Sequence, residues 1–202
     1  LLAGSSIHSR YRFNEEGQVN ASLRVGQVTF LDTELLNTGD IRPIRPGHNE
    51  PMHSLFHLDS PSATLVVRNH TVTWAHPQYA IVKPHFALAS NVLAKDGRLG
   101  MLKRVLKAMD EAGDPALEEF ICDVVPRLDF TRILAMRDDI VRVLRTPNQK
   151  KRFEQTLRAV HGDLAWRFME VLSRARIEGT IAASRHLTRQ PAHRFFMALL
   201  LN

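Results

Sequence analysis

Gly39-Asp40-Ile41-Arg42-Pro43-Ile44-Arg45-Pro46-Gly47-His48-Asn49-Glu50-Pro51-Met52-His53-Ser54-Leu55-Phe56-His57-Leu58-Asp59-Ser60-Pro61-Ser62-Ala63-Thr64-Leu65-Val66-Val67-Arg68 is the stretch whose reading decides the fold. Gly39-Asp40 suits a tight turn leading into a strand, and Pro46-Gly47 suits a second turn after it. His53 and His57 then stand among apolar residues, and a strand-like run from Ala63 to Arg68 closes the stretch. Turn chemistry, imidazoles and strand-forming residues coincide here, so the functional site is expected here.

Working outward, the upstream chain reads as more short strands. Ile7 to Phe13 alternates, with His8, Arg10 and Arg12 on one face and Tyr11 and Phe13 on the other. Asn14-Glu15-Glu16-Gly17 reads as a polar turn, Val19 to Val25 as its hairpin partner, and Gln27 to Asp32 as a further strand. Ile41 to Ile44, Met52 to Leu58, Ala63 to Arg68 and Thr71 to Trp74 supply up to four more. Short strands separated by Gly, Pro, Asn and Asp predict an all-β sandwich or small barrel for residues 1–80.

Beyond Pro84 the period changes to that of helices. Leu102, Val105, Leu106 and Met109 fall at i, i+3, i+4 and i+7. Asp114-Pro115 and Thr146-Pro147 each pair a capping residue with a proline at the first helical position. The first opens a helix from Ala116 to Val125, and the second opens one carrying Phe153, Leu157 and Val160. Gly162-Asp163 breaks the chain before Leu164, Phe168, Val171 and Leu172, and Gln190-Pro191 opens a last apolar helix. Five to seven helices in a small bundle are expected. The fold class is therefore α+β, with a β domain over residues 1–84 and an α-helical domain over 85–202.

Charge follows the same division. Residues 1–90 hold seven Lys or Arg against seven Asp or Glu, so the remainder carries the whole net charge of +6. Histidine runs the other way, with seven of ten at or before His85. The single cysteine, Cys122, excludes an intrachain disulfide framework and makes the reducing cytoplasm the default compartment. It sits in the apolar run Phe120-Ile121-Cys122 and reads as a buried thiol. No run approaches the eighteen or so apolar residues of a membrane span, so no membrane partner is expected. The chain opens Leu-Leu-Ala and ends Leu-Leu-Leu-Asn, which reads as cuts through a longer polypeptide. A Gly-rich phosphate loop, a nucleophile elbow and a paired-cysteine zinc motif are absent from the sequence.

The first 80 residues also carry a resemblance. Gly39-Asp40, Pro43, Pro46-Gly47 and His53 are similar to the second conserved motif of cupins, where a Gly starts a strand, a Pro-Gly turn follows and a His binds metal. Gly4, His8, Glu15 or Glu16, and Gly26 follow the order of the first cupin motif, with Arg10 standing where the family has its second His. The resemblance covers about residues 4–75. It implies a closed antiparallel barrel (a double-stranded β-helix), a divalent metal held by His8, His53 and Glu15, and pairing of barrels into a homodimer. Iron is favoured over zinc, manganese or nickel through the resemblance alone.

The residues themselves permit several outcomes. Neutral imidazoles from separate strands can converge on one transition metal inside a barrel. His53 and His57 share parity, but four extended residues span about 13 Å, so one ion cannot take both unless the strand is interrupted. A helix from Pro51 would bring them together, yet Pro61 leaves it little room, and a strand is preferred. His57 reads equally as a core histidine, and Glu15 and Glu16 as solvated turn charges. Arg10 would clamp a substrate carboxylate or form a surface ion pair; Tyr11 would orient a substrate. His70, His76 and His85 are expected in loop or packing roles.

Two functions follow. One is a metal-dependent enzyme, a non-haem iron dioxygenase acting on a small polar molecule. The other is a metal-free ligand-binding or scaffold protein whose basic helical domain binds a partner. From residue 140 onward twelve Lys or Arg face four acidic residues, including Lys150-Lys151-Arg152. Nucleic-acid binding is nonetheless not favoured, because these cations recur at helical intervals without the aromatic interleaving of a stacking platform.

Overall fold

The computed structural model describes residues 1–43, 52–67, 79–89, 96–184 and 187–201. Its strands come first and its helices after, so the class is α+β. The strands are β1 (Ser6–Asn20), β2 (Leu23–Leu36), β3 (Met52–His57), β4 (Tyr79–Val82) and β5 (Phe86–Ala89). They form one antiparallel sheet in the order β3-β1-β2-β5-β4. Among the described residues β3 and β4 are its edges and the sheet does not close on itself.

The expected polar turn at Asn14-Glu15-Glu16-Gly17 is instead strand, and β1 runs straight through it. The reversal falls later, at Ala21-Ser22. There Asn20 Oδ1 accepts a hydrogen bond from the Ser22 amide at 2.9 Å, the local turn chemistry of an Asn side chain. Val19 to Val25, read as a strand, therefore contains the turn. Met52 to Leu58 is strand through His57. Ala63 makes an isolated bridge to Ala3, and Thr64 to Val67 is irregular. Ile41 to Pro43 is irregular too, while Ile44, the Pro46-Gly47 turn, Arg68, His70, Thr71 to Trp74 and His76 lie outside the described residues.

Two compact units interleave along the chain. The β unit comprises Leu1–Glu15, Gln27–His76 and Glu178–Asn202; the helical unit comprises Glu16–Gly26 and Pro77–Ile177.

In the β unit, β1 and β3 pair with Ser6 opposite His57, His8 opposite Leu55 and Arg10 opposite His53. Alternation then sorts the side chains into two faces. Ile7 and Phe56 lie on one, where they pack with Leu58, Phe195 and Ala198. The last two belong to the C-terminal helix Pro191–Leu200. Ser6, His8, Arg10, His53 and His57 share the other face.

Seven α-helices are described: α1 (Gly97–Ala112), α2 (Leu117–Glu119), α3 (Phe130–Ala135), α4 (Arg137–Val143), α5 (Pro147–His161), α6 (Leu164–Ser184) and α7 (Pro191–Leu200). The Thr146 capping signal operates at its helix start, while Asp114 closes a turn just ahead of α2, which begins only at Leu117. Asp114 Oδ1 accepts from the Ala116 amide at 2.8 Å. Thr146 and Gln149 form a reciprocal capping box at the start of α5. The expected helix from Ala116 to Val125 is divided, with a π segment at Phe120–Val124 and a 3-10 turn at Val125–Arg127 following α2.

Phe86, Phe130, Phe153 and Phe168 sit at the centre of the helical unit's core, with Leu23 and Leu88 from the sheet. Phe130 meets Phe86 at 5.4 Å and Phe168 at 5.9 Å between ring centroids, the spacing of favourable edge-to-face and tilted aromatic pairs. No helix among the described residues is long and apolar enough to cross a membrane.

Candidate functional site

Period-two alternation delivers His8, Arg10 and His53 to one face of the β unit, and the partner strand β2 adds Asp32 and Glu34. His8 is almost wholly buried, 5% exposed. Its Nδ1 lies 3.0 Å from Glu34 Oε1, and its ring meets that of His53 edge-on, 5.3 Å between centroids. Glu34 is gripped from its other side by Arg42, whose Nε donates at 2.9 Å and Nη2 at 2.9 Å. The Arg42 hydrogen bonds, and next that of His8, lower the Glu34 pKa to about 2. At neutral pH Glu34 is thus a carboxylate, which can only accept hydrogen bonds.

That fixes the tautomer of His8. In the neutral imidazole the proton must sit on Nδ1 to be donated to Glu34, which leaves the lone pair on Nε2. No hydrogen bond occupies Nε2 among the described residues. A carboxylate orienting an imidazole from behind is the arrangement that makes histidine a directed base or a metal ligand.

The other expected site residues fall as follows. Arg10 makes a two-pronged pair with Asp32, Nε to Oδ1 at 2.6 Å and Nη2 to Oδ2 at 2.5 Å, which is the ion-pair reading of that residue. The same hydrogen bonds hold the Asp32 carboxyl below its ordinary range. His57 Nδ1 lies 2.7 Å from Ser6 Oγ, toward the end of β3. His53 and His57 are both on a strand, as the proline spacing suggested, and stand apart along it. Tyr11 is buried on the opposite face from His8, its ring edge-on to Phe30 at 5.8 Å. Glu15 lies on β1 seven residues beyond His8, about 23 Å at about 3.3 Å per residue, and with opposite parity. The fold does not bring Glu15 and His8 together.

Glu34 is the residue that sequence reasoning missed. The sequence reading of the strand from Gln27 ends at Asp32, two residues before Glu34, whereas β2 continues to Leu36. Counted back from a two-residue turn at Ala21-Ser22, Glu34 would fall opposite Ser9, so local counting does not show its contact with His8. Elsewhere, Cys122 is buried, its Sγ against the Gln149 carbonyl at 3.5 Å, and burial pushes its thiol pKa up. Four of the basic residues of the helices are in ion pairs: Arg145 with Asp110, Arg142 with Asp139, Arg152 with Asp123 and Glu118, and Arg167 with Glu16.

No protein-family model, curated protein or solved structure matches this chain. The geometry must carry the functional reading by itself.

Among the described residues no three His, Cys, Asp or Glu side chains stand close enough to hold a metal ion. His8 and His53 supply two nitrogen donors, and the third group nearby, Glu34, is committed to the Arg42 guanidinium. That cation would also oppose a second positive charge beside it. The described residues alone therefore do not fit a metal centre.

Proposed function

We propose that the His8–His53 face of the β unit is the working site of this chain and that it binds a small polar molecule. The observation that supports this is the ionised Glu34 on His8 Nδ1, which leaves Nε2 of a nearly buried imidazole to accept a proton or hydrogen bond from a ligand. Arg10 and Arg42 border the same face with their charges already balanced by Asp32 and Glu34, so the site favours a polar ligand over a strongly anionic one. Screening small alcohols, amides and carboxylic acids by NMR against protein with isotope-labelled histidines tests the reading. Ligands that bind should shift the His8 and His53 ring signals, and His8→Ala should abolish their binding while circular dichroism stays unchanged. Binding that leaves both rings undisturbed would refute it.

A cupin-like, metal-dependent oxidoreductase is the second reading. Two neighbouring imidazoles, one oriented by a carboxylate, favour it, and a third ligand would have to come from beyond the described residues. Closure of the sheet into a barrel, iron as the metal and pairing into a homodimer belong to this reading and rest on the sequence resemblance. Equilibrium dialysis against Fe(II), Mn(II), Ni(II) and Zn(II) decides it: stoichiometric metal that His53→Ala removes supports the enzyme, and equal metal in both proteins excludes His53 as a ligand. Absence of binding by all four leaves the metal-free binding module. A reducing, cytoplasmic setting has the single cysteine as its support.

A further inference from the structure

Helix α1 (Gly97–Ala112) carries a second apolar stripe besides the one it buries. Leu99 and Leu106 belong to the core of the helical unit. Met101, Val105, Ala108 and Ala112 are exposed instead, Met101 by 60% and Val105 by 40%. Single exposed apolar residues are ordinary on a protein surface. These four recur at intervals of four, three and four residues, the spacing that keeps a seam in register with a neighbouring helix.

The seam is graded along its length. Met101 and Val105 make its N-terminal half large, and Ala108 and Ala112 make its C-terminal half small. Two copies laid side by side in the same direction would set large on large and leave a gap between alanines. Laid antiparallel, with Val105 against Ala108 of the second copy, they bring Met101 against Ala112 of the second copy. Two-fold symmetry repeats both contacts, so large meets small in every layer.

The charges beside the seam are complementary in the same register. Arg104 precedes Val105 and Glu111 precedes Ala112, so both line one flank. In the antiparallel pair Arg104 of each copy comes beside Glu111 of the other. Neither is well matched within its own chain. Arg104 is exposed and makes no ion pair among the described residues. Glu111 meets Lys107 at 3.6 Å in the lysine-first order, the weaker of the two i,i+4 arrangements. It also lies at the C-terminal end of the helix, where the dipole favours cations and the last turn holds no basic residue.

We propose that α1 is a self-association surface, through which two copies of this chain pair by antiparallel α1 helices, Val105 seated on Ala108 and Arg104 bridging to Glu111 of the second copy. This surface lies in the helical unit and is separate from the barrel pairing implied by the cupin resemblance. Three turns of helix make a small interface, so the pair forms and dissociates with concentration.

Sedimentation velocity of the full chain, from low micromolar to near-millimolar protein, should show a monomer–dimer equilibrium. Arg104→Glu and Glu111→Arg each set like charges together on both flanks, and each should weaken the dimer about tenfold. Combining the two changes in one chain should restore it. Mixing the two single variants should restore it as well, because each supplies the charge that the other lacks. Val105→Ser removes the central contact without touching a charge and should also weaken the dimer. All three positions are exposed, so circular dichroism should match the wild type. A wild type that stays monomeric at near-millimolar protein overturns the proposal. So does a dimer that the single variants leave intact, since its interface then lies elsewhere. Weakening that neither the double variant nor the mixture reverses overturns the antiparallel register.

Discussion

Glu34 Oε1 lies 3.0 Å from His8 Nδ1, and this one hydrogen bond determines which nitrogen His8 has left to offer. In ¹⁵N spectra above pH 8, neutral His8 is expected as the Nδ1–H tautomer. Glu34→Ala should release it to a mixture in which Nε2–H contributes. An unchanged tautomer in the variant would mean that Glu34 does not control the ring.

Acid should weaken the same contact. Glu34 titrates near 2 in the folded protein, below its ordinary value of 4.5. A folded-state value lowered in this way contributes stability that is present above pH 4.5 and is lost as pH falls toward 2. Glu34 is about a third exposed, so solvent screening holds the effect to about 1 kcal/mol or less. Melting curves between pH 5 and 2 should decline less steeply for Glu34→Gln than for the wild type; identical slopes would contradict the assignment.

Arg194 anchors the last helix. Buried to 8% exposure, it donates from Nε to the Thr188 carbonyl at 3.0 Å and from Nη1 to the Leu58 carbonyl at 3.0 Å. Arg194→Ala should cost about 1.5–3 kcal/mol, the range for hydrogen bonds to a charged group. Denaturant titration checks this, and a loss below about 0.5 kcal/mol would show that Arg194 does not hold α7 in place.

Generic nucleic acid should not bind through the basic helices. Arg142, Arg145, Arg152 and Arg167 are committed to carboxylates of their own unit. A gel-shift at low salt with DNA and RNA is expected to show no complex at micromolar protein. A salt-sensitive complex abolished by changing Lys150, Lys151 and Arg152 would reverse that expectation.

The sequence was most informative where structure is local. The shared face of His8 and Arg10 follows from period-two alternation, and the Thr146-Pro147 start of α5 from capping chemistry, whereas His53 joins that face only through the β1–β3 register. Where two signals compete, reading is harder. Glu15-Glu16-Gly17 has turn composition, yet pairing along a long hairpin keeps it extended. Pro84 marked a change of period, but β5 immediately follows it because Phe86 and Leu88 gain burial beside Val25 and Leu23. The covering of Ile7 and Phe56 by α7 has no local signature at all, since its partners are distant in sequence.

That distance has a consequence for how the protein is made. Ile7 packs in one cluster with Ala198, and Leu23 in another with Phe168. The ribosome must add roughly 145 residues after Leu23, and roughly 190 after Ile7, before these partners exist. At about 5–20 residues per second, the first hairpin waits on the order of ten seconds or longer with apolar side chains uncovered. Neither unit can complete its core in step with synthesis. The nascent hairpin is thus the segment most exposed to holdase chaperones, and a pause in translation before α6 would lengthen that exposure without altering a single residue.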